Sequence, residues 1–454
     1  MAQLLKALLL AALLVQPAPA QEVDKFQPAV QQARVQVPET VPAYMKLAAL
    51  YYSQKDHANF LKVMQKLAQM APNDPDIQYR LATAYALNRD LKNAFNTLLQ
   101  LSNLGVSYDI SGEDFDHIKG YGLYRHISEA FEINARPQGD YDPVMQLGDT
   151  RWVVGGMAWN PLKKRLLVGS VMTGQVLALD VESKRFKPWI RADKRNGLQS
   201  VHDLAVDAER KRLWLSSNPG KRFRNPDGVD QPMLFAFNLA NGRFVSRHPL
   251  PQDGRPHRLG AVTVDAAGNV YVVDPLARSV YWLSAEGRKK DTPLELLVTL
   301  PRLESLSGIA WMPDTGQLYV SDAHTGVVLL DLEARQSRLL KTLAPLVTVG
   351  IERIYALPGR LVVIQSGMSP QRILRYDLND AGDTIRTLKT LTSGQPELQL
   401  PLAGAVVGPH FYFAANSQWT STAPVEIARV VIGEAEPLPS GGKSVSPAAN
   451  PATE

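Results

Sequence analysis

Ser307-Gly308-Ile309-Ala310-Trp311-Met312-Pro313-Asp314-Thr315-Gly316-Gln317-Leu318-Tyr319-Val320-Ser321-Asp322 reads as two short strands joined by a tight turn. Ile309-Ala310-Trp311 and Leu318-Tyr319-Val320 are rich in β-formers, and Pro313-Asp314-Thr315-Gly316 between them supplies the residues that reverse a chain. The same succession recurs along the C-terminal two thirds of the sequence. Met157-Ala158-Trp159, Leu204-Ala205-Val206, Val262-Thr263-Val264, Ile354-Tyr355-Ala356 and Ala405-Val406-Val407 each open a unit. Each is followed by a turn such as Asn160-Pro161 or Gly408-Pro409, then by a second strand: Leu166-Leu167-Val168, Leu213-Trp214-Leu215, Val270-Tyr271-Val272, Leu361-Val362-Val363 and Phe411-Tyr412-Phe413. Several units continue into a third strand, as in Gly174 to Asp180 and Gly326 to Asp331. Six units about 47 residues apart predict a six-bladed β-propeller, because a four-stranded blade buries both its faces only by packing radially against its neighbours. A β-sandwich would not explain the repeat.

The propeller is expected to span residues 150–434. Pro137 to Asp149 reads as a separating linker, and 435–454, rich in Pro, Ser, Gly and Ala, as a disordered tail. Upstream, residues 41–136 carry helical periodicity. Leu47, Ala48, Tyr51 and Asp56 recur 34 residues later as Leu81, Ala82, Tyr85 and Asp90, which is the period of a tetratricopeptide repeat. Pro72 and Pro75 divide the two units, and Asp114 to Asn134 is expected to cap them, since two repeats bury little surface alone. The fold class is therefore mainly β, with a small α-helical tetratricopeptide-like domain in front. Residues 21–40 read as a linker. Met1 to Ala20 reads as a signal peptide, with Lys6, a short apolar run and a small-x-small site at Ala18-Pro19-Ala20. That apolar run is too short to span a bilayer and no later stretch is longer, so the sequence predicts a periplasmic or secreted, not membrane-spanning, chain.

The 454 residues contain no cysteine, which excludes disulfides, thiolate metal sites and cysteine nucleophiles. The formal charge of +5 is spread along the chain, whereas nucleic-acid binding calls for a clustered basic face. No Gly-rich phosphate loop, HExxH or Gly-x-Ser-x-Gly is present.

The stretch Ser307 to Asp322 resembles the senescence marker protein/gluconolactonase family, a likeness extending over roughly residues 150 to 434. Gln365-Ser366-Gly367-Met368-Ser369-Pro370-Gln371-Arg372 and Tyr412 to Trp419 are similar to an uncharacterised bacterial branch of it. The resemblance implies a lactonase holding one divalent cation on the propeller axis. At the positions it would use, however, this sequence has Gly155, Gly260, Ser307 and Glu352. One carboxylate and one hydroxyl make a poor cation site, so no cofactor is expected, the alternative being one divalent cation near Glu352.

The positions preceding the six first strands are Gly155, His202, Gly260, Ser307, Glu352 and Ala403, and they should line the axial channel. His202, Ser307 and Glu352 are the candidate catalytic groups, since imidazole can activate a hydroxyl when a carboxylate orients it; blades two and five lie opposite, which counts against that relay. The connection between the second and third strands of blade two is about ten residues longer than the others. It is expected to bring Lys221, Arg222 and Arg224 over the channel mouth, where they would attract a small anionic ligand. His324, Gln365 and Asn416 are expected on the same face, while Asp274 and Asp322 should cap their own turns. The leading expectation is an exported binding or assembly protein with an unidentified protein or peptide partner on its helical repeats. The rival is a lactone or ester hydrolase working in the channel.

Overall fold

The structure, a computed structural model, describes residues 40–148, 152–220, 231–286, 288–343, 346–417 and 423–433. The signal peptide, the 21–39 segment, Lys221, Arg222, Arg224 and the C-terminal tail lie outside them.

Six sheets follow one another along the chain, antiparallel except for the short pairing of Lys341–Thr342 with the last strand of blade five. Blade one runs from Val154–Asn160 to Arg185–Arg191, blade two from Ser200–Asp207 to Phe244–Pro249, and blade three from Val262–Val264 to Glu295–Thr299. Blade four runs from Leu306–Met312 to Gln336–Leu339, and blade five from Ile351–Leu357 to Thr384–Ser393. Every expected first- and second-strand triplet falls inside the corresponding strand. Between each pair of neighbouring blades lies an apolar core. Val201, Leu204, Leu167 and Phe235 fill the space between blades one and two, and Phe411, Phe413, Ile364 and Ile373 that between five and six. Burial of each large apolar side chain contributes roughly 1.5–3 kcal/mol, so the ring's stability is distributed over six interfaces.

Blade six corrects the expected boundary. Its strands Gly404–Val407, His410–Ala414 and Val425–Val431 are completed by Asp142–Leu147, which pairs antiparallel with Val425–Val431. The ring is thus closed by a strand from upstream of residue 150, and Met145 and Leu147 enter the core between blades six and one. Gln138–Gly139 adds further pairing on the last strand of blade five. The segment read as a linker is therefore part of the propeller; its Pro and Gly residues sit at strand margins, where their punctuation looks the same as a linker's.

Five helices precede the propeller among the described residues: α1 (Val41–Ser53), α2 (His57–Met70), α3 (Pro75–Leu87), α4 (Leu91–Asn103) and α5 (Gly122–Ala135). The α1–α2 and α3–α4 hairpins are built alike. Lys55 and Arg89 take positive φ values of 57° and 59°, and the aspartates that follow, Asp56 and Asp90, cap the next helix by accepting from Asn59 and Asn93. Asp74 caps α3 ahead of Pro75.

These helices dock against the propeller. Val106, Ile110 and Phe131 share a core with Val347, Val349 and Met368 of blade five. The Ser107 N–H donates to the Ser369 carbonyl at 2.8 Å, the Val41 N–H to Glu304 at 3.2 Å, and His324 Nδ1 lies 2.9 Å from Asp74. Asp74 holds the His324 imidazole protonated beyond its ordinary range, against the opposing effect of burial. A raised folded-state value contributes stability below the unfolded value of about 6.5 and loses it as pH rises through the folded value. Protection factors in α1 to α4, which already discount the intrinsic pH dependence of amide exchange, should therefore fall above neutrality relative to those of the blades, and His324→Gln should abolish that fall; a pH-independent ratio between helices and blades would contradict it.

Candidate functional site

Four first strands begin with a β-bulge, and the bulged residues are Gly155, His202, Ser307 and Glu352. A bulge inserts one residue out of register and re-aims its side chain. Here it turns that residue toward the axis. His202, Ser307 and Glu352 consequently meet at one cavity of about 190 Å³, together with Gly260, Arg258 and Arg353.

Proximity does not make a relay. The Ser307 hydroxyl donates to the Ile351 carbonyl and lies 2.9 Å from the Ser321 hydroxyl, so it straps blade four to blade five. Among the described residues neither the His202 ring nor the Glu352 carboxyl has a hydrogen-bond or ion-pair partner. Burial, reinforced by Arg258 and Arg353, lowers the His202 pKa to about 4, which leaves the ring neutral at physiological pH. Burial raises the Glu352 carboxyl above the ordinary range, opposed by Arg353.

Arg353 is the residue that sequence reasoning missed. Its guanidinium donates to the carbonyls of Ser307 (3.0 Å) and Glu352 (2.9 Å), and reaches that of Gly155 (3.4 Å). It therefore ties blades four, five and one at the axis. Its neighbour Asp203, also overlooked, accepts from the Val262 N–H at 2.9 Å and joins blade two to blade three. Nothing in the repeat pattern marks either residue, because each follows a bulge and alternation fails there. Arg258 is exposed at the rim, with no side-chain partner among the described residues; its N–H donates to Asp274 at 3.2 Å. Asp274 also accepts from Leu276 and Ala277, and Asp322 from His324 and Thr325, as turn-capping requires.

Three expected channel-mouth residues do other work. Gln365 is fully buried and binds the carbonyls of Val347 and Val349 and the guanidinium of Arg372, bracing the segment under the helices. His324 is turned to Asp74 on the helical side. Asn416 closes its own loop through the Pro424 carbonyl and the Glu426 N–H. Gln365 ends its second strand, and His324 and Asn416 follow theirs, but the packed helices and local turns claim each side chain. Asn218, which precedes the long blade-two connection, bonds both the N–H and the carbonyl of Leu259 on the cavity wall; Lys221, Arg222 and Arg224 lie outside the described residues.

The donors do not suit a divalent cation. Glu352 is the one carboxylate on the cavity wall among the described residues, and two guanidinium groups share that wall. A side chain at Gly155 is impossible without rearrangement, because a Cβ there would lie 2.1 Å from the Val201 carbonyl oxygen. The close approach of blade two's backbone thus explains a glycine where the family resemblance implies a ligand.

No known family's sequence profile matches the chain, and no curated protein matches it. Solved structures do, at low identity. The Malassezia sympodialis allergen Mala s 1 is 15% identical with TM-score 0.47, over 65% of this chain and 96% of the allergen. A gluconolactonase from Xanthomonas campestris is 16% identical with TM-score 0.43, over 65% and 99%. A protein of unknown function from Bacteroides thetaiotaomicron is 11% identical with TM-score 0.48, over 65% and 76%. At these values the neighbours' activities do not transfer, and the architecture rests on the sheet topology described above. Among the described residues, no helix is long and apolar enough to cross a membrane.

Proposed function

We propose that this chain is an exported binding protein whose propeller holds a small anionic ligand in its axial cavity. One observation carries the reading: His202, Glu352 and the Arg258 guanidinium converge on the cavity without partners among the described residues. His202 and Glu352 are half-buried polar groups of the kind normally paired, Arg258 adds an exposed cation at the rim, and a concave site where such groups converge is the default place for a ligand. The volume is below that of drug-sized pockets, so the ligand is small.

The alike hairpins support the tetratricopeptide-like reading of the helical part, but a partner peptide in their groove finds little room. Tyr52 of α1 bonds Asp114, Tyr79 of α3 bonds the Asp109 carbonyl, and Tyr108 bonds Asp76 of α3. The chain's own 107–115 segment lies along these helices. In this proposal the helical part chiefly braces the propeller, and any protein partner uses its outer surface. The rival reading as a lactone or ester hydrolase is disfavoured by the engaged Ser307 hydroxyl.

Thermal melting with small anions, calcium and zinc, beside a lactone and ester hydrolysis assay, tests the proposal. A specific ligand at a hundredfold excess over Kd stabilises by about 2.7 kcal/mol. Small anions should raise Tm and Arg258→Ala should remove the effect, while the metals should give no such shift. Metal-dependent hydrolysis lost in Glu352→Gln would restore the hydrolase.

A further inference from the structure

Resting on the reading of the axial cavity as a ligand site, we infer that its ligand is a small monocarboxylate, clasped between the Arg258 guanidinium and a hydrogen bond donated by the Glu352 carboxyl.

The charges on the wall argue for this class. Arg353 spends its guanidinium on backbone carbonyls of three blades, which leaves Arg258 as the cation at the rim without a partner among the described residues. A planar guanidinium takes a carboxylate in a two-pronged fit. Arg353 keeps its charge while its Nη groups are committed to carbonyls, so the rim offers one two-pronged donor, which matches the two oxygens of a carboxylate, whereas a phosphate dianion calls for more donors than that. Ser307 has committed its proton to Ile351, and Ser305, also on the wall, adds a hydroxyl.

Glu352 decides the mode of binding. The titratable and charged groups that share its cavity are His202 from blade two, Arg258 from the approach to blade three and Arg353 on its own strand; blade four contributes only serine side chains to the polar wall. No residue among those described donates a hydrogen bond to the carboxylate, and none forms an ion pair with it. A carboxylate enclosed without donors is costly, and the neutral acid is the form such a site favours. An incoming carboxylate would repel ionised Glu352 but would accept a hydrogen bond from the neutral acid. Binding is therefore coupled to Glu352 protonation: where the free site is ionised, one proton is taken up from solvent per ligand bound, and no covalent bond changes.

The test is calorimetric titration of the full chain with formate, acetate and pyruvate, and with inorganic phosphate, from about pH 5.5 to 8.5. Each pH is run in two buffers of different ionisation enthalpy, so that proton uptake is counted directly. The expected result is carboxylate binding whose Kd rises toward tenfold per pH unit above the Glu352 pKa, with uptake approaching one proton. Glu352→Gln, which keeps a donor and cannot ionise, should bind with a pH-independent Kd and no proton uptake. Arg258→Gln, an exposed change that spares the fold, should lose binding at every pH. If none of these probes binds the wild-type chain, the ligand-site reading itself falls. Carboxylate binding that is pH-independent without proton uptake, or unaltered in Glu352→Gln, would overturn only the clasp, as would a preference for phosphate.

Discussion

A chain beginning at Trp152 is expected to yield no cooperatively unfolding propeller, whereas one beginning at Gln138 should retain a thermal transition. The first lacks Asp142–Leu147, the strand that closes blade six on Val425–Val431. Removing it takes Met145 and Leu147 out of the core between blades six and one, at roughly 1.5–3 kcal/mol each. It also strips a whole ladder of hydrogen bonds and leaves an open sheet edge that invites aggregation. Against a typical domain stability of about 5–15 kcal/mol, those losses together are decisive. The chain from Gln138 keeps the ring but bares Val347, Val349 and Met368, which the helices cover; its transition should lie below that of the full chain. Circular dichroism melts of the two distinguish these outcomes, and a cooperative transition in the chain from Trp152 would show that closure does not depend on the borrowed strand.

The second large effect belongs to Arg353. Arg353→Met should destabilise the protein by about 3 kcal/mol, because hydrogen bonds to a charged group are each worth roughly 1.5–3 kcal/mol and water can replace part of what is lost at this half-buried position. The substitution frees the Ser307 carbonyl and loosens blade one from blades four and five. Arg353→Lys should recover less than half, since an ammonium group cannot span three carbonyls in one plane. Urea denaturation measures both; a change within about 0.5 kcal/mol for Arg353→Met would mean that the axis is held by the inter-blade cores alone.

Much of this molecule is legible in its sequence. The six strand pairs were readable because local β-patterning and global packing agree in every blade, and the twin Asp56 and Asp90 turns because helix capping is written in a few adjacent residues. The closing strand was not. Asp142-Pro143-Val144-Met145-Gln146-Leu147 pairs with residues some 280 positions away, and nothing local distinguishes it from a linker with an apolar patch. The site divides in the same manner. Stacking the repeats located Gly155, His202, Ser307 and Glu352 together, because equivalent positions in equivalent blades converge on the axis. What each side chain does there depends on contacts between blades. The carbonyls that occupy Arg353, the backbone that forbids a side chain at Gly155, and the helices that claim His324 and Gln365 are all long-range, and they redirect four residues without any signature in the pattern.

On the reading proposed above, the axial cavity binds a small carboxylate and not a metal ion. A crystal structure of the full chain grown with saturating pyruvate tests it most directly. The expected density is a planar carboxylate between the Arg258 guanidinium and the Glu352 carboxyl, with the Ser307 hydroxyl still on the Ile351 carbonyl. A cation coordinated by Glu352, or a cavity holding only water at that concentration, would contradict the claim.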